Sequence, residues 1–368
     1  MLESAREFML YFLHHSEIQR YWRRGRNMNI RKVAEMAGVS VATISRVLNH
    51  PEQVLPETRE RVLAVMREQD YTPNWFARGL NLGKSNIISL LIPTIESSFY
   101  QQITSGIETI SRSKGYAVFF CDTHSDEQIE AEYLKMAETR RIDGMILVCS
   151  KLGGQDAVPL SCDIPRVHIG KNRIGGCDTL CYIDFEEGAY RLLRHLLSLG
   201  HRTFHLILDR QQVSESEQIR DGLRHAFWEA GLSSEHFQET LAESTVQGGY
   251  IAAQRIMQKD VLPNAIVAAS HEQAFGILKA AQDNGIDVPS RLALASLSDS
   301  PTCSIVTPPL TGLELPAAKL GMAAARMLFD RIENQALDLG VPQEMVLQPK
   351  VKIRRSCGNQ KHIYELFD

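Results

Sequence analysis

Long apolar runs are missing from this chain of 368 residues. None approaches the ~20 residues that a membrane-crossing helix needs, so an integral membrane protein is not expected. The N-terminus also lacks a secretory pattern: Glu3, Arg6 and Glu7 precede its apolar patch, and His14, His15 and Glu17 break up the segment after it. Cysteine is scarce and badly spaced for cross-linking. The seven cysteines, at 121, 149, 162, 177, 181, 303 and 357, are odd in number and include no C-x-x-C pair. Cys177 and Cys181 stand four apart with no histidine cluster beside them, which argues against a metal site. Reduced, mostly buried thiols in a cytoplasmic protein are the expectation. An excess of positive charge is absent too. The formal net charge is −4, so any contact with nucleic acid must come from a local patch. Finally, the chain has no P-loop, no G-x-S-x-G, no H-E-x-x-H and no dinucleotide fingerprint after a strand. No enzyme class and no cofactor is indicated.

The densest signal lies between Ile30 and Asn49, IRKVAEMAGVSVATISRVLN. Ile30, Val33 and Ala34 recur at helical spacing and predict a short helix with one apolar face. Gly38 supplies the positive φ of a sharp turn, and Ser40 is a good N-cap for a second helix. In that helix Ile44, Val47 and Leu48 form one face, and Val41, Ala42, Ser45, Arg46 and Asn49 form the other. The second face is small or hydrogen-bonding, which allows close approach to base edges in a DNA major groove. An ordinary helical hairpin is the alternative. Charge supports the DNA reading weakly: eight Lys/Arg face six Asp/Glu between Asn29 and Lys84, with Arg20, Arg23, Arg24 and Arg26 just upstream.

The run Val33-Ala34, Ala37-Gly38-Val39-Ser40, Thr43 and Ser45-Arg46-Val47-Leu48-Asn49 closely resembles the headpiece of the lactose-repressor (LacI-GalR) family of bacterial transcription regulators. The resemblance extends over residues 28–355. It implies DNA contacts from Ser40, Val41, Ala42, Thr43, Ser45, Arg46 and Asn49. Arg46 is the candidate for guanine, and Val41 or Ala42 for a thymine methyl. It also implies that residues 71–86, YTPNWFARGLNLGKSN, are a hinge whose short helix forms on the operator. Ala77 and Leu80 would then sit in the minor groove, with Leu80 as the wedge. Gly79 weakens that helix by roughly 1 kcal/mol relative to Ala; a plain interdomain linker is the alternative.

Five segments are expected along the chain. Residues 1–27 are an extension without counterpart in the family, either an added arm or a segment upstream of a natural start at Met28. Residues 28–72 form an all-α helix-turn-helix headpiece. Its third helix starts at Pro56, and Val62, Leu63 and Met66 close the core; family members usually place a Ser cap where Leu55 stands. Residues 73–86 are the hinge. From residue 87 short apolar strands alternate with helices in two series, which predicts an α/β domain of two lobes with parallel sheets. The resemblance implies a fold like the periplasmic sugar-binding proteins, occupying residues 87–355, with a tail at 356–368. Thr307–Thr311 is read as one crossing between lobes. The helix at 317–334 would belong to the first lobe and a strand at 346–353 to the second. The tail lacks the apolar heptads of a tetramer-forming zipper, so a homodimer on a pseudo-palindromic operator is expected.

Open parallel sheets bind ligands at the carboxyl ends of their strands, so a cleft between the lobes is the candidate effector site. Ser98 and Phe99 stand where the family commonly has Pro-Phe; Phe99 either stacks on a ligand ring or is core. Asp184 matches a cleft aspartate, or else caps the helix after it. The second lobe departs from the family. An arginine three residues before Gly222 is replaced by Ile219, with Arg220 beside it. The Asn-Asp pair is Ser270-His271, and Gly-Phe-Asp-Asp is Ser296-Leu297-Ser298-Asp299. Candidate effector contacts are therefore Ser98, Phe99, Asp184, Arg220, His271 and Asp299. Two readings remain open: a ligand unlike the usual sugars, or loss of small-molecule control in favour of a protein partner or none.

Overall fold

A computed structural model describes residues 29–71, 84–140, 142–150, 164–171, 179–210, 213–333 and 343–359. The expectations for residues 1–27, and for Ala77 and Leu80, lie outside the described residues. The chain divides into two compact units, Met1–Ser85 and Asn86–Asp368.

In the first unit three helices close a small core: α1 (Ile30–Ala37), α2 (Val41–Asn49) and α3 (Pro56–Glu68). Asn29 caps α1 by accepting the Lys32 amide at 3.0 Å. Gly38 ends α1 in the left-handed region, at φ 65°, and its amide reaches back to the carbonyls of Ala34 and Glu35. This turn is what lets only three residues separate α1 from α2. Val33, Ala34, Ala37, Ile44, Val47, Val62 and Met66 form the core, with Leu48 and Val65 packed against it. Leu63 differs from the sequence expectation: it is exposed, because one helical step turns it away from the face that Val62 and Met66 share.

Leu55 precedes Pro56 at the start of α3 and offers no side-chain cap. Its side chain is 75% exposed, so little packing is lost on changing it. Leu55→Ser is expected to stabilise the headpiece by about 1 kcal/mol, by giving an orphan amide an acceptor. A rise in the headpiece melting temperature, followed by circular dichroism, checks this.

In the second unit the alternation builds two six-stranded sheets. The first uses β1 (Ile87–Ile92), β2 (Ala117–Asp122), β3 (Gly144–Val148), β4 (Arg166–Ile169), β5 (Thr179–Ile183) and β11 (Gln343–Leu347), in the order β11-β5-β4-β3-β1-β2. The second uses β6 (Phe204–Asp209), β7 (Phe237–Ala242), β8 (Ala265–Ala268), β9 (Ala293–Ser296), β10 (Thr311–Glu314) and β12 (Lys350–Lys352), in the order β12-β10-β9-β8-β6-β7. All neighbours are parallel except β10 and β12. The central strands are buried on both faces, as the near-continuous apolar runs IISLLI and GMILV require.

Helices α4 (Ser98–Ser113), α5 (Glu127–Thr139) and α10 (Ala317–Glu333) belong to the first lobe. Helices α6 (Phe185–Ser198), α7 (Val213–Glu229), α8 (Val246–Met257) and α9 (His271–Asp283) belong to the second. The α4–α10 contact is backbone-close: a Cβ on Gly106 would lie 2.1 Å from the Ala318 carbonyl oxygen, and one on Gly321 2.1 Å from that of Ile103.

Three short segments carry the chain between lobes: Asp184, Leu315-Pro316 and Gln348-Pro349. Two expectations change here. Thr307–Thr311 does not cross; it leads into β10 within the second sheet, and the crossing comes later, at Leu315-Pro316. The strand expected over 346–353 is two strands in different sheets, β11 against β5 and β12 against β10. Pro349 has no amide for a sheet ladder, which breaks the run at the crossing. The start of the tail also moves. Ser356 and Cys357 are fully buried; Ser356 Oγ donates to the Leu294 carbonyl at 2.6 Å and accepts the Thr311 amide at 2.9 Å. Among the described residues no helix is long and apolar enough to cross a membrane.

Candidate functional site

The first candidate site is the outer face of α2. Ile44 and Val47 are buried, which fixes the helix roll, and Val41, Ala42 and Arg46 are left exposed on the far side. Ser40 and Thr43 have structural duties as well: Ser40 Oγ accepts the Thr43 amide at 3.1 Å, and the two hydroxyls lie 2.9 Å apart. Ser45 is half-buried beside them. Asn49 is the last residue of α2; its side chain lies outside the described residues. The face therefore offers two small apolar side chains near the helix start and one long, donor-rich guanidinium in its last turn. That pairing suits methyl groups and guanine edges in a major groove.

The second candidate site lies where strands of both sheets end and the lobes face each other. Ser97, Ser98 and Phe99 come from the segment after β1, Asp209 is the last residue of β6, and His271 and Ser298 follow β8 and β9. These residues enclose a cavity of about 70 Å³. Typical small-molecule sites run to ~300–1,000 Å³, so the lobes stand close together. Direct bonds cross the gap. Ser98 Oγ donates to Glu272 Oε1 at 3.2 Å and lies 3.4 Å from His271 Nε2, and Cys149 Sγ donates to Glu215 Oε1 at 3.0 Å. Tyr100 Oη in turn donates to Cys149 Sγ at 3.7 Å.

His271 is fixed by its surroundings. Ser298 Oγ accepts the His271 amide at 2.8 Å and lies 2.8 Å from Nδ1, while Nε2 lies 3.2 Å from Glu272 Oε1. The Nε2–H tautomer satisfies every contact: the serine hydroxyl donates to Nδ1 and the ring donates to the carboxylate. Burial pushes the imidazole pKa down, opposed by the charges of Glu272 and Asp299. Burial likewise raises the Tyr100 phenol well above its ordinary value, helped by the negative charge around Cys149, Glu215 and Asp209.

Of the effector residues expected from sequence, Ser98, Phe99 and His271 line this cavity. Phe99 packs edge-on to Tyr100, and to Phe185 at a centroid distance of 6.5 Å. The other three are engaged elsewhere. Asp184 caps α6, accepting the Glu187 amide at 3.0 Å and the Gln348 side chain at 3.1 Å. Arg220 forms a paired contact with Glu239, at 2.9 and 3.1 Å, on β7. Asp299 is bonded through both oxygens to Arg354, at 2.8 and 2.9 Å. The rotation of one residue between Ile219 and Arg220 explains the second case: Ile219 takes the cavity wall and Arg220 points to the sheet edge.

Sequence reasoning missed Cys149, Asp209, Glu215 and Glu272. Asp209 closes an apolar strand and Glu272 stands just beyond a strand-end serine, which are usable signals at the carboxyl end of a parallel sheet. Glu215 lies in the first turn of α7 and reaches the cleft only once α7 is packed against its sheet. Among the described residues no group of three or more His, Cys, Asp or Glu side chains is arranged to hold a metal ion.

Comparison with known proteins covers both parts of the chain. Residues 29–74 match the family model for bacterial regulatory proteins of the lacI family. Residues 193–357 match that for a periplasmic binding protein-like domain. Similar proteins include the HTH-type transcriptional repressor PurR of Haemophilus influenzae (strain PittEE), 27% identical over 332 residues, covering 89% of this chain and 98% of the relative. Catabolite control protein A of Priestia megaterium is 26% identical over 333 residues, covering 90% and 99%. Among solved structures, the lac repressor dimer bound to operator and the anti-inducer ONPF superposes with a TM-score of 0.80 at 22% identity, covering 90% of this chain and 99% of that one. The transcriptional regulator CelR in complex with cellobiose gives a TM-score of 0.66 at 24% identity, covering 90% and 100%. The structural likeness establishes the fold: a helix-turn-helix headpiece followed by a two-lobed α/β domain.

Proposed function

The chain belongs to the LacI family and is a DNA-binding transcriptional regulator, not an enzyme; from that premise we propose that it acts as a cytoplasmic homodimeric repressor controlled by a small-molecule effector held between the lobes. The observation that carries the DNA half is the exposed Val41, Ala42 and Arg46 face of α2, set over a closed three-helix core. We assign residues 28–72 to operator reading, 73–86 to the linker that includes Ala77 and Leu80, and the rest of the fold to effector binding and dimerisation. Ser40, Thr43, Ser45 and Asn49 complete the proposed DNA surface.

Control arises from the topology. Three short crossings join the lobes, so a ligand that prefers one lobe angle shifts the population toward it. A ligand must bind one state ~10⁴-fold more tightly to drive a change from 1:99 to 99:1. The relative described with cellobiose supports a sugar-sized ligand class. Selection of bound fragments from a random DNA pool tests the proposal. A pseudo-palindromic consensus is expected, because a two-fold dimer reads two inverted half-sites. Enrichment of a single asymmetric site, or of none, would sink it.

One observation favours a second reading, control by a protein partner or by none: the cleft is small, and its lobes are already bridged by Ser98, Glu272, Cys149 and Glu215.

A further inference from the structure

The lobes are joined across the gap in a repeated way. Helices α6, α7 and α9 of the second lobe each carry a glutamate in the first turn: Glu186, Glu215 and Glu272. Each accepts from a donor in a different segment of the first lobe. Glu272 Oε1 takes the Ser98 hydroxyl, after β1, at 3.2 Å, and Glu215 Oε1 takes the Cys149 thiol, after β3, at 3.0 Å. Glu186 Oε2 takes the Lys171 ammonium, after β4, at 3.3 Å. The positive end of each helix favours an ionised acceptor there. Capping does not consume these carboxylates: Asp184 caps α6, and Ser270 with Gln273 caps α9 in a reciprocal box.

The bonds differ in weight. The Lys171–Glu186 pair is solvent-exposed and adds little. Cys149 is engaged from both sides, since Tyr100 Oη donates to its sulfur while the thiol donates on to Glu215. Burial raises the thiol pKa well above its ordinary value, helped by the Glu215 charge, and so keeps this donor protonated. Ser98 and Glu272 meet in a part-buried setting, where Glu272 also faces the His271 ring at 3.2 Å. These two polar bonds complement an apolar pivot at the crossings, where Phe185 and Leu315 pack into the cores of both lobes.

We propose that the cleft is closed by a latch of the protein's own side chains: the Ser98–Glu272 and Cys149–Glu215 bonds suffice to hold the lobes together with no small molecule bridging them. A ligand gains entry by displacing the two bonds, and its apparent affinity is reduced by the fraction of molecules that are latched. The device is independent of what the cleft binds.

Cys149 itself reports opening. Full-length protein is unfolded in urea and refolded to strip any carried-over small molecule, and alkylation by iodoacetamide is followed at each cysteine by peptide mass mapping. In the refolded wild type Cys149 is expected to react about 100-fold or more slowly than in urea, the product of two bonds worth about tenfold each. Ser98→Ala removes a bond that Cys149 does not share. It should speed alkylation of Cys149 about tenfold and leave that of the buried Cys303 unchanged. Glu272→Ala serves if Cys303 accelerates along with Cys149, the sign of a damaged fold. Wild-type Cys149 reacting within about tenfold of its rate in urea overturns the proposal. So does a Cys149 rate that neither variant changes, or one that in both changes only together with Cys303.

Discussion

Arg46→Ala is expected to abolish most of the discrimination between the selected operator and scrambled DNA. Removing one bidentate guanine contact costs roughly 1–3 kcal/mol. A dimer loses it in both half-sites, so the specific-to-nonspecific ratio should fall about 30-fold to 10⁴-fold. The side chain is exposed on α2 and outside the headpiece core, so folding of the unit should not change. Fluorescence anisotropy with both DNAs, at one fixed salt concentration, reads the ratio directly. Fixed salt matters because phosphate contacts carry a steep ionic-strength dependence that would confuse the comparison. A ratio that stays at the wild-type value would mean that α2 is not the reading helix.

Asp299→Ala is expected to produce the largest loss of stability. The carboxylate is bonded through both oxygens to Arg354, and the two side chains are only 10% and 14% exposed. Arg354 also donates to the Leu310 carbonyl, and its backbone amide donates to Thr311 Oγ1 at 2.8 Å. The pair ties the segment after β12 to the loop after β9. Removing one partner leaves a guanidinium buried without its counter-charge, a change that costs about 3–5 kcal/mol. Urea unfolding of the full chain, following the transition of the larger unit in the absence of ligand, measures it. A loss below ~1 kcal/mol, as for a solvated surface pair, would return Asp299 to the pool of candidate effector residues.

The headpiece was legible in sequence because its determinants are local. Gly38, Ser40 and the i, i+3, i+4 spacing of Val33, Ala37, Ile44 and Val47 act within one or two helical turns. Residue identity alone nearly determines which face of α2 is buried. Leu63 was misassigned where that locality fails, since a packing partner rather than propensity selects the buried face of α3. In the larger unit the strand–helix alternation announced two parallel sheets. The positions of the crossings were not legible, because a switch between sheets of one or two residues, at Asp184, Leu315-Pro316 or Gln348-Pro349, looks like any short loop until both sheets exist.

The cleft marks the limit of local reading. Ser98, Cys149, Asp209, His271 and Ser298 come from five separate strand ends, and only the sheet orders bring them together. Sequence could nominate polar residues at strand ends, but a carboxylate's role depends on what stands opposite. Asp184, Arg220 and Asp299 are bonded away from the gap, whereas Glu215 and Glu272 accept bonds across it from Cys149 and Ser98. By itself, therefore, the sequence determined that this chain carries a helix-turn-helix headpiece and a two-lobed domain, since periodicity and capping act over short range. The tertiary structure alone decided which of the described polar side chains meet across the cleft, because electrostatic and hydrogen-bond contacts depend on distances that chain order does not fix.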